Sequence, residues 1–520
     1  MNDHKFEFGV KNFRKFTEIP SIELNGVNCL VGPNNAGKSS LTKALILFIE
    51  NLKSMNGVAI GSCGLPFNFS DALCPLHINS FKRALCRNAT EKSIVFTAKL
   101  FDYTLELTVS ENDAEIHGHH EGIGQVDKVV IKNDYEDIEI IIYPETNRYE
   151  MNFGQTDKEG FNYQKERYAE YKSGLADKPD FTPGTTGIFE CHLVYPRDTL
   201  IKYKNPLVKE IIALANIFSP VSATHSVIDN GDIVPKILGL ISDNRDRLLN
   251  VAEELNTIIS NLKIEYIPAH LARQNAVCRA SDGNVFSSVV SNYMMSPADA
   301  NTQEFVRTWM DKFGLGKSYY IISYPGEMYA VMISDVICPE KYVIERGERF
   351  ELIESPDFRP LADEGMGSIQ LMTLILQMAN IIKRSQDPTY DLYYDEGLEE
   401  ADSATVVVLE EPELNLHPKF QSVLAEFFHE CAKYNVRFVI ETHSEYLIRR
   451  AQVLVGDMEC KSQEEVDKKN PFKVFYFPTN GVPFDMGMAP TGKFLRNFDE
   501  GFFDVAAKLN MEVIRRERKM

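Results

Sequence analysis

Short apolar runs followed by amphipathic stretches predict a chain in which buried strands alternate with helices. Residues 27–31, 405–409 and 436–440 are almost entirely apolar. Runs of this length are typical of strands that are buried on both faces of a parallel sheet. After the first two runs, apolar side chains recur at helical spacing. They are Leu41, Ala44, Leu45, Phe48, Ile49 and Leu52 after the first, and Phe420, Val423, Leu424, Phe427, Phe428 and Cys431 after the second.

A different pattern fills residues 92–153, where apolar and polar side chains alternate as they do at Leu105, Leu107 and Val109. This period of two predicts an antiparallel subdomain with one buried face. Nearer the start of the chain, Asn25-Gly26 lies between two strand-like stretches. Because this dipeptide is a frequent hairpin turn, it predicts that the two flanking strands pair.

The middle of the chain turns helical over residues 205–262, and its longest helix is predicted to begin at Pro235. Proline is favoured in the first helical turn because its missing N–H needs no partner there. Residues 155–200 are polar and rich in tyrosine, and we expect them to form loops with a helix. Further on, the pattern predicts a helix at 302–313 and strands at 319–323, 329–333 and 342–344.

Composition narrows the class of protein without deciding it. A chain of 520 residues predicts two or more lobes, and a net charge of −20 disfavours a protein that coats nucleic acid with its whole surface. The nine cysteines are scattered without a C-x-x-C pair, which is typical of reduced thiols. With no signal-peptide pattern and no apolar run long enough for a membrane span, we expect a cytoplasmic protein.

The first candidate site follows the first apolar run. Residues 32–39 fit G-x-x-x-x-G-K-[ST], and we call them the phosphate loop. A strand, a glycine turn and a helix bring backbone N–H groups and the positive end of a helix to one point. In such loops the lysine reaches the β- and γ-phosphates and the hydroxyl binds Mg²⁺. The nucleotide-binding residues predicted here are Gly32, Pro33, Asn34, Asn35, Ala36, Gly37, Lys38, Ser39 and Ser40, with Ser39 also a metal ligand.

Acidic and histidine side chains follow the other two apolar runs. Glu410 and Glu411 end the second run, and His443 comes three residues after the third. Ligands of parallel sheets bind at the carboxyl ends of strands. There Glu410 could hold Mg²⁺, Glu411 could deprotonate the attacking water, and His443 could contact a γ-phosphate or that water. The ordinary alternatives are a solvated acidic strand end and a structural histidine.

Glycines open another helix at residues 361–370, which we call the signature segment. Asp363, Gly365, Gly367 and Ser368 lie at its start, and an apolar stripe from Leu371 onward predicts the helix itself. A glycine-rich helix start is a natural anion-binding end. A flexible loop capped by glycine is the alternative.

Taken in chain order, these elements resemble the ABC-type ATPase heads of the SMC, Rad50, RecF and OLD group. The phosphate loop matches Walker A, and residues 406–411 match Walker B with Glu410 where aspartate is usual. The signature segment resembles an ABC signature in which Asp363 replaces serine. Residues 411–418 are similar to the E-P-E-x-x-L-H-P run of this group, and residues 442–444 match its switch-histidine element.

The resemblance implies an α/β ABC-ATPase head with two lobes, in which helices flank a mixed and parallel core sheet. We expect residues 1–155 to form lobe I with Walker A and the antiparallel β subdomain. Residues 156–265 would form a mainly helical insertion, and residues 266–520 lobe II with the signature, Walker B and the switch histidine. ATP and Mg²⁺ are the implied cofactors.

Such heads pair head to tail, in a dimer or a higher oligomer, so that the signature segment of one copy covers ATP on the phosphate loop of the other. Glu411 and His443 complete the site within one copy. Hydrolysis would then open a closed dimer, which makes the head a switch for a partner. The rate of turnover could be slow or regulatory.

Within the group, the chain most resembles ATPase subunits of bacterial anti-phage systems of the Septu and retron-associated type. Its partners would then be a separately encoded HNH-type nuclease and a retron reverse transcriptase with its DNA. The alternative is a DNA-binding repair ATPase similar to RecF or Rad50. A third hypothesis, a self-sufficient nuclease, depends on metal binding by His117, His119 and His120.

Overall fold

The computed structural model describes most of the two ends of the chain and part of its middle. The described residues are 6–54, 65–69, 76–111, 122–133, 135, 137–146, 148–153, 187–190, 202–203, 205–217, 234–269, 277–295, 299–337, 358–386, 405–499, 503, 509, 511 and 514–515. The three histidines at 117, 119 and 120 lie outside them, as do the strand expected at 342–344 and nearly all of residues 155–200.

Strands account for much of the described chain. They are β1 Phe6–Phe13, β2 Phe16–Glu23, β3 Val27–Val31, β4 Leu65–Asn68, β5 Ser93–Leu100, β6 Tyr103–Glu111, β7 Ile123–Asn133, β8 Ile138–Tyr143, β9 Arg148–Phe153, β10 Gly187–Glu190, β11 Lys263–Ile267, β12 Cys278–Arg279, β13 Ser318–Tyr324, β14 Met328–Ser334, β15 Arg359–Pro360, β16 Thr405–Glu410, β17 Val436–Glu441, β18 Phe472–Tyr476 and β19 Phe484–Asp485.

The described residues form ten α-helices, among them those that the periodicity predicts. They are α1 Lys38–Ser54, α2 Phe81–Ala84, α3 Pro206–Ile217, α4 Val234–Asn261, α5 Val285–Met295, α6 Ala300–Lys312, α7 Met366–Gln386, α8 Pro418–Ala432, α9 Glu445–Gly456 and α10 Gln463–Lys469, with 3₁₀ turns at Ala280–Asp282 and Leu361–Asp363. The helices expected near 205–262, 302–313, 365–382 and 420–431 are therefore present.

The chain divides into two compact units that interleave along the sequence. The first unit contains Met1–Leu24 and Gly37–Ile264, and the second contains Asn25–Ala36 and Glu265–Met520. The second unit thus takes β3 and the first half of the phosphate loop from the start of the chain. The lobe boundaries expected at residues 155 and 265 stay predictions.

In the first unit, nine described strands form one antiparallel sheet in the order β10-β9-β8-β7-β6-β5-β1-β2, with β4 paired to β7. Alternate side chains of β5 and β6 are buried, which is the pattern expected of a sheet with one covered face. Its core is rich in phenylalanine: the rings of Phe48 and Phe67 lie 6.3 and 5.1 Å from that of Phe96. Helices α3 and α4 pack on each other, and both lie in the helical region that the sequence predicts.

Six described strands form a second sheet in the order β11-β16-β17-β3-β18-β19, and apart from the first two residues of β11 they belong to the second unit. Strands β16, β17, β3 and β18 run parallel, and every residue of β3 is buried. Asn28 is the polar exception inside β3, where its side-chain amide donates 2.8 Å hydrogen bonds to the carbonyls of Asn25 and Phe438. These bonds satisfy a buried polar group and tie the start of β3 to β17.

A smaller antiparallel sheet of β12, β14, β13 and β15 completes the second unit, and helices α5 and α6 pack against α7. The α/β class predicted from the sequence is confirmed by this mixture of parallel and antiparallel sheets with helices. The hairpin predicted at Asn25-Gly26 is wrong, because β2 pairs with β1 whereas β3 pairs with β17 and β18. Asn25-Gly26 instead carries the chain from one sheet to another, since the apolar β3 is buried most completely at the centre of the parallel sheet.

Two other expectations concern membrane-spanning helices and the state of the cysteine thiols. None of the helices in the described residues is both long and apolar enough to cross a membrane. The cysteines that the structure describes, at positions 29, 86, 278, 431 and 460, are all buried and unbridged. Burial raises the pKa of Cys29 and Cys431, which keeps these thiols protonated and chemically inert.

Candidate functional site at the carboxyl edge of the parallel sheet

Three neighbouring parallel strands end at the same level. Glu410 at the end of β16 is paired with Glu441 of β17, and Glu441 is paired with Leu30 of β3. The ladder continues one step beyond the strands, where the Glu411 N–H donates to the Glu441 carbonyl at 2.8 Å and the Thr442 N–H donates to the Leu30 carbonyl at 3.1 Å.

This register brings three predicted groups to one edge. Gly32 follows β3, His443 follows β17 by two residues and Glu411 follows β16 directly. Neighbouring strands lie about 4.8 Å apart, so the ends of β16 and β3 are separated by about 10 Å, with β17 between them. Side chains and backbone groups that follow these three strands therefore lie along the same edge of the sheet.

Close backbone packing shapes both halves of the phosphate loop. Gly32 has φ +148°, and a Cβ at this position would lie 2.4 Å from the Phe477 carbonyl oxygen. In the other unit, Gly37 has φ +107°, and a Cβ there would lie 2.3 Å from the ring of Phe16. Both positions therefore exclude any side chain, which leaves the backbone of the loop open to an anion.

Helix α1 begins at Lys38, directly after the glycine turn. Lys38 is only 6% exposed, and Ser40 at 7% exposure donates its N–H to the Gly37 carbonyl at 2.9 Å. The other predicted nucleotide ligands of the loop differ in exposure: Asn34 and Asn35 are exposed, Pro33 and Ser39 are half-buried, and Gly32 and Ala36 are buried. A helix start with a buried lysine is the electrostatic setting that binds phosphate.

Glu411 has an unusual backbone conformation. Its φ is +43°, a region that residues other than glycine rarely adopt, and its side chain is half-buried beside that of Glu410 in the chain. The N–H of Glu411 is held by the Glu441 carbonyl, so the neighbouring strand imposes this conformation. Strained residues of this kind cluster at active sites, ligand clamps and switch regions.

Glu413, which sequence reasoning did not select, connects the two loops that follow β16 and β17. Its Oε1 accepts the His443 N–H at 2.6 Å, and its Oε2 is buried with no hydrogen-bond partner among the described residues. Burial raises the pKa of Glu413, although the hydrogen bond from the His443 N–H opposes this shift. Its place in the E-P-E run was the available signal, but nothing in the sequence distinguished an anchoring carboxylate from a reactive one.

The backbone around His443 is fixed on both sides, while its side chain is exposed. Ser444 caps α9 by accepting the Leu447 N–H at 3.1 Å, and its own hydroxyl donates to Gln421 Oε1 at 2.7 Å. Gln421 in turn donates to the Leu416 carbonyl at 3.0 Å. The loops carrying Glu411 and His443 are thus joined at several points and form one polar network.

The signature segment presents two different sides. Asp363 and Gly365 are exposed, and a Cβ on Gly365 would meet no atom within 4 Å. Gly367 and Ser368 are half-buried, and a Cβ on Gly367 would lie 2.6 Å from the Asn415 carbonyl oxygen. One side of the helix start therefore packs on the loop after β16, and the other is open for contact with another molecule.

The residues at the sheet edge fit a nucleotide with a magnesium ion. Glu410 at the end of β16 carries a carboxylate, and Ser39 in the first unit carries a hydroxyl. Mg²⁺ prefers oxygen ligands of both kinds together with substrate phosphates. Among the residues that the structure describes, no cluster of three histidine, cysteine, aspartate or glutamate side chains forms a protein-only metal site. A metal that shares its coordination with phosphates needs no such cluster.

Comparison with known families settles the class to which this arrangement belongs. The model of the family AAA_15, described as AAA ATPase domain, matches residues 7–448. The chain belongs to the AAA ATPase domain family. The match runs from the first strand of this ATPase domain to α9, and it includes the phosphate loop, the signature segment, Glu411 and His443. Nucleotide binding is the property that this family implies.

Solved structures of SMC heads are similar to this chain, with low sequence identity and low TM-scores. An SMC head bound to the C-winged helix domain of ScpA is 10% identical, covering 92% of this chain and 97% of the other, with a TM-score of 0.32. An SMC head with an extended coiled coil bound to the C-terminal domain of ScpA, from Pyrococcus furiosus, is 11% identical, covering 98% of each chain, with a TM-score of 0.30. The SMC head domain from Thermotoga maritima is 12% identical, covering 94% and 99%, with a TM-score of 0.31. No curated protein matches the sequence.

Proposed function

We propose that this protein binds ATP with Mg²⁺ on residues 32–40 and hydrolyses it at the carboxyl edge of the parallel sheet. The observation that carries the proposal is the common level at which β3, β16 and β17 end, followed by Gly32, Glu411 and His443. These residues come from distant parts of the sequence, and phosphate-binding, acidic and imidazole groups are the set that phosphoanhydride hydrolysis needs.

Each residue has a distinct role in this proposal. Backbone N–H groups of the phosphate loop and the Lys38 ammonium hold the phosphates. Ser39 and Glu410 would hold Mg²⁺, which would supply positive charge to neutralise the phosphates. Glu411 accepts the proton of the attacking water, and the strained φ of +43° keeps its carboxylate in place. His443 stabilises the γ-phosphate, and its backbone is fixed by Glu413.

A second copy of the chain completes the site in this proposal. Asp363, Gly365, Gly367 and Ser368 of one copy cover the nucleotide of the other, head to tail. The exposure of Asp363 and Gly365, with open space around Gly365, supports a contact made between copies rather than within one.

Substitution of Glu411 by glutamine tests the chemical step. Glu411→Gln keeps the size of the side chain but removes the base, so we expect ATP turnover to fall by at least about 100-fold while ATP binding persists. The unhydrolysed nucleotide should also trap a dimer, which sedimentation with ATP would detect. Glu445→Gln is the matched control, because Glu445 pairs with Arg449 on the surface of α9. Normal turnover in Glu411→Gln would disprove the assignment.

We further propose that the closed dimer restrains a separately encoded HNH-type nuclease in anti-phage defence, with a retron reverse transcriptase and its DNA as additional partners. The resemblance of the sequence to ATPases of Septu and retron systems supports this role. Co-expression with the neighbouring gene product tests it: we expect a stable complex whose nuclease is silent with ATP and active after phage infection. A neighbouring repair gene and binding of DNA ends would instead favour the repair ATPase.

A further inference from the structure

Gln370 is a buried residue of α7 for which the proposed chemistry has no role. Its side chain is 5% exposed, and its Nε2 donates to the Pro412 carbonyl at 3.2 Å and more weakly to the Glu411 carbonyl at 3.4 Å. A helix that starts at the signature segment thus holds the peptide groups on either side of Pro412.

Close packing next to Gln370 leaves little freedom between α7 and this loop. A Cβ on Gly367 would lie 2.6 Å from the Asn415 carbonyl oxygen and 3.0 Å from Leu416 Cδ2. The backbone of α7 therefore lies directly on the loop after β16, and any movement of the helix start must move this loop.

Glu411 lies between two such restraints. The carbonyl of Glu441 accepts its N–H at 2.8 Å, and Gln370 reaches its carbonyl from the other side. Because the φ of +43° is unfavourable, the direction of the Glu411 carboxylate depends on these neighbours rather than on local preference.

On its opposite side, the signature segment is held by ion pairs but keeps several residues exposed to solvent. Arg359 pairs with Glu364 at 2.5 Å and with Asp335 at 3.0 Å, which fixes the 3₁₀ turn that precedes α7. Asp363, Gly365 and Met366 nevertheless stay exposed. One short segment therefore combines an open side with a side that holds the loop carrying Glu411.

We propose that Gln370 is a positioning residue that couples the two nucleotide sites of the dimer. When the signature segment of one copy covers the nucleotide of its partner, α7 shifts, and Gln370 carries that shift to Glu411 of its own copy. Hydrolysis in one site thereby depends on the occupancy of the other. This inference rests on the proposed function, since it needs both a hydrolytic Glu411 and a site completed by a second copy.

Two substitutions of Gln370 separate its hydrogen bonds from its packing. Gln370→Ala removes both, whereas Gln370→Glu keeps the shape but replaces the donor by a carboxylate that repels the two carbonyl oxygens. Gln377→Ala is the matched control, because Gln377 lies two turns further along the same helix with the same 5% exposure. No hydrogen bond joins Gln377 to the loop after β16 in the described part of the chain.

Steady-state turnover against ATP concentration is the measurement, with nucleotide affinity measured separately. We expect the wild-type protein and Gln377→Ala to show a Hill coefficient above 1. Both Gln370 variants should show a coefficient near 1 and a kcat reduced by about tenfold, at unchanged nucleotide affinity.

Other outcomes overturn the inference in distinguishable ways. If the Gln370 variants behave as Gln377→Ala does, or if Gln370→Glu keeps wild-type cooperativity, Gln370 does not couple the sites. A loss of nucleotide affinity in both Gln370 variants would assign the residue to the fold of the site instead. Absence of turnover in the wild-type protein would contradict the proposed function itself.

Discussion

Single residues at the sheet edge show how backbone strain and chemistry are linked. Glu411 adopts φ +43°, which costs about 1–2 kcal/mol for a residue with a Cβ. The hydrogen bonds from its N–H to Glu441 and from Gln370 to its carbonyl offset this cost. Backbone strain that is supported from both sides would hold the Glu411 carboxylate in the direction that the proposed hydrolysis needs.

At this scale the residues proposed to react were easier to predict from the sequence than the residues that hold them in place. Glu411 and His443 follow apolar runs, so their place at strand ends was predictable from periodicity. Glu413 and Gln370 act through hydrogen bonds to the backbone of other segments. Such bonds depend on which strands become neighbours, and residue spacing carries no information about that.

Glu413 gives a residue-scale prediction about stability. Glu413→Ala removes the acceptor of the His443 N–H, so we expect the free energy of unfolding to fall by about 1–3 kcal/mol. Glu413→Gln keeps an acceptor oxygen and should lose less. Chemical denaturation of both variants measures the difference, and an equal loss in the two would contradict the anchoring role.

The raised pKa of Glu413 predicts how the stability of the wild-type protein, compared with that of Glu413→Gln, depends on pH. Because the folded chain favours the protonated form, the stability that this proton contributes is present below the ordinary carboxyl pKa. It is lost as the pH rises through the raised value. Relative to Glu413→Gln, the wild-type protein should therefore become less stable as the pH rises across that interval, and no change would contradict the burial of a charge at Glu413.

At the scale of elements, the order of the strands in the parallel sheet determines which motif residues lie at the same edge. Periodicity predicted β3, β16 and β17, and their apolar character predicted central positions in a sheet. It did not predict their order, and the turn chemistry of Asn25-Gly26 predicted a hairpin that does not form. The hairpin preference of Asn25-Gly26 is outweighed by the hydrophobic burial of β3, since every residue of this strand is buried between β17 and β18.

The contact between α7 and the loop after β16 leads to a prediction at this scale. Gly367→Ala places a Cβ 2.6 Å from the Asn415 carbonyl, so we expect a loss of about 1–3 kcal/mol in the free energy of unfolding. Gly365→Ala is the matched control, because its Cβ meets no atom within 4 Å. That substitution should be neutral or slightly stabilising, since it restricts only the unfolded chain. Equal stability of the two variants would show that α7 does not press on the loop.

At the scale of the whole molecule, the central claim is that one nucleotide site needs two copies of the chain. The sequence predicted this from the resemblance of its motifs. It did not predict that Asn25–Ala36 would belong to the same compact unit as Glu265–Met520, because that depends on β3 pairing across the sequence. The consequence is that β3, which leads into the phosphate loop, lies in the same sheet as β16 and β17, which lead to Glu411 and His443.

Mixing two inactive variants tests this claim most directly. Lys38→Ala disables the phosphate loop, and Gly365→Asp adds a negative charge to the open side of the signature segment, where no atom lies within 4 Å of the new Cβ. Each variant alone should lack turnover. In a mixed dimer, one site combines the intact loop of one copy with the intact signature of the other, and the second site carries both substitutions. An equal mixture should therefore recover about a quarter of wild-type turnover if the sites act independently, and about tenfold less if the empty second site removes the coupling proposed for Gln370. Full activity of Gly365→Asp alone, or no recovery although mixed dimers form, would contradict a site shared between two copies.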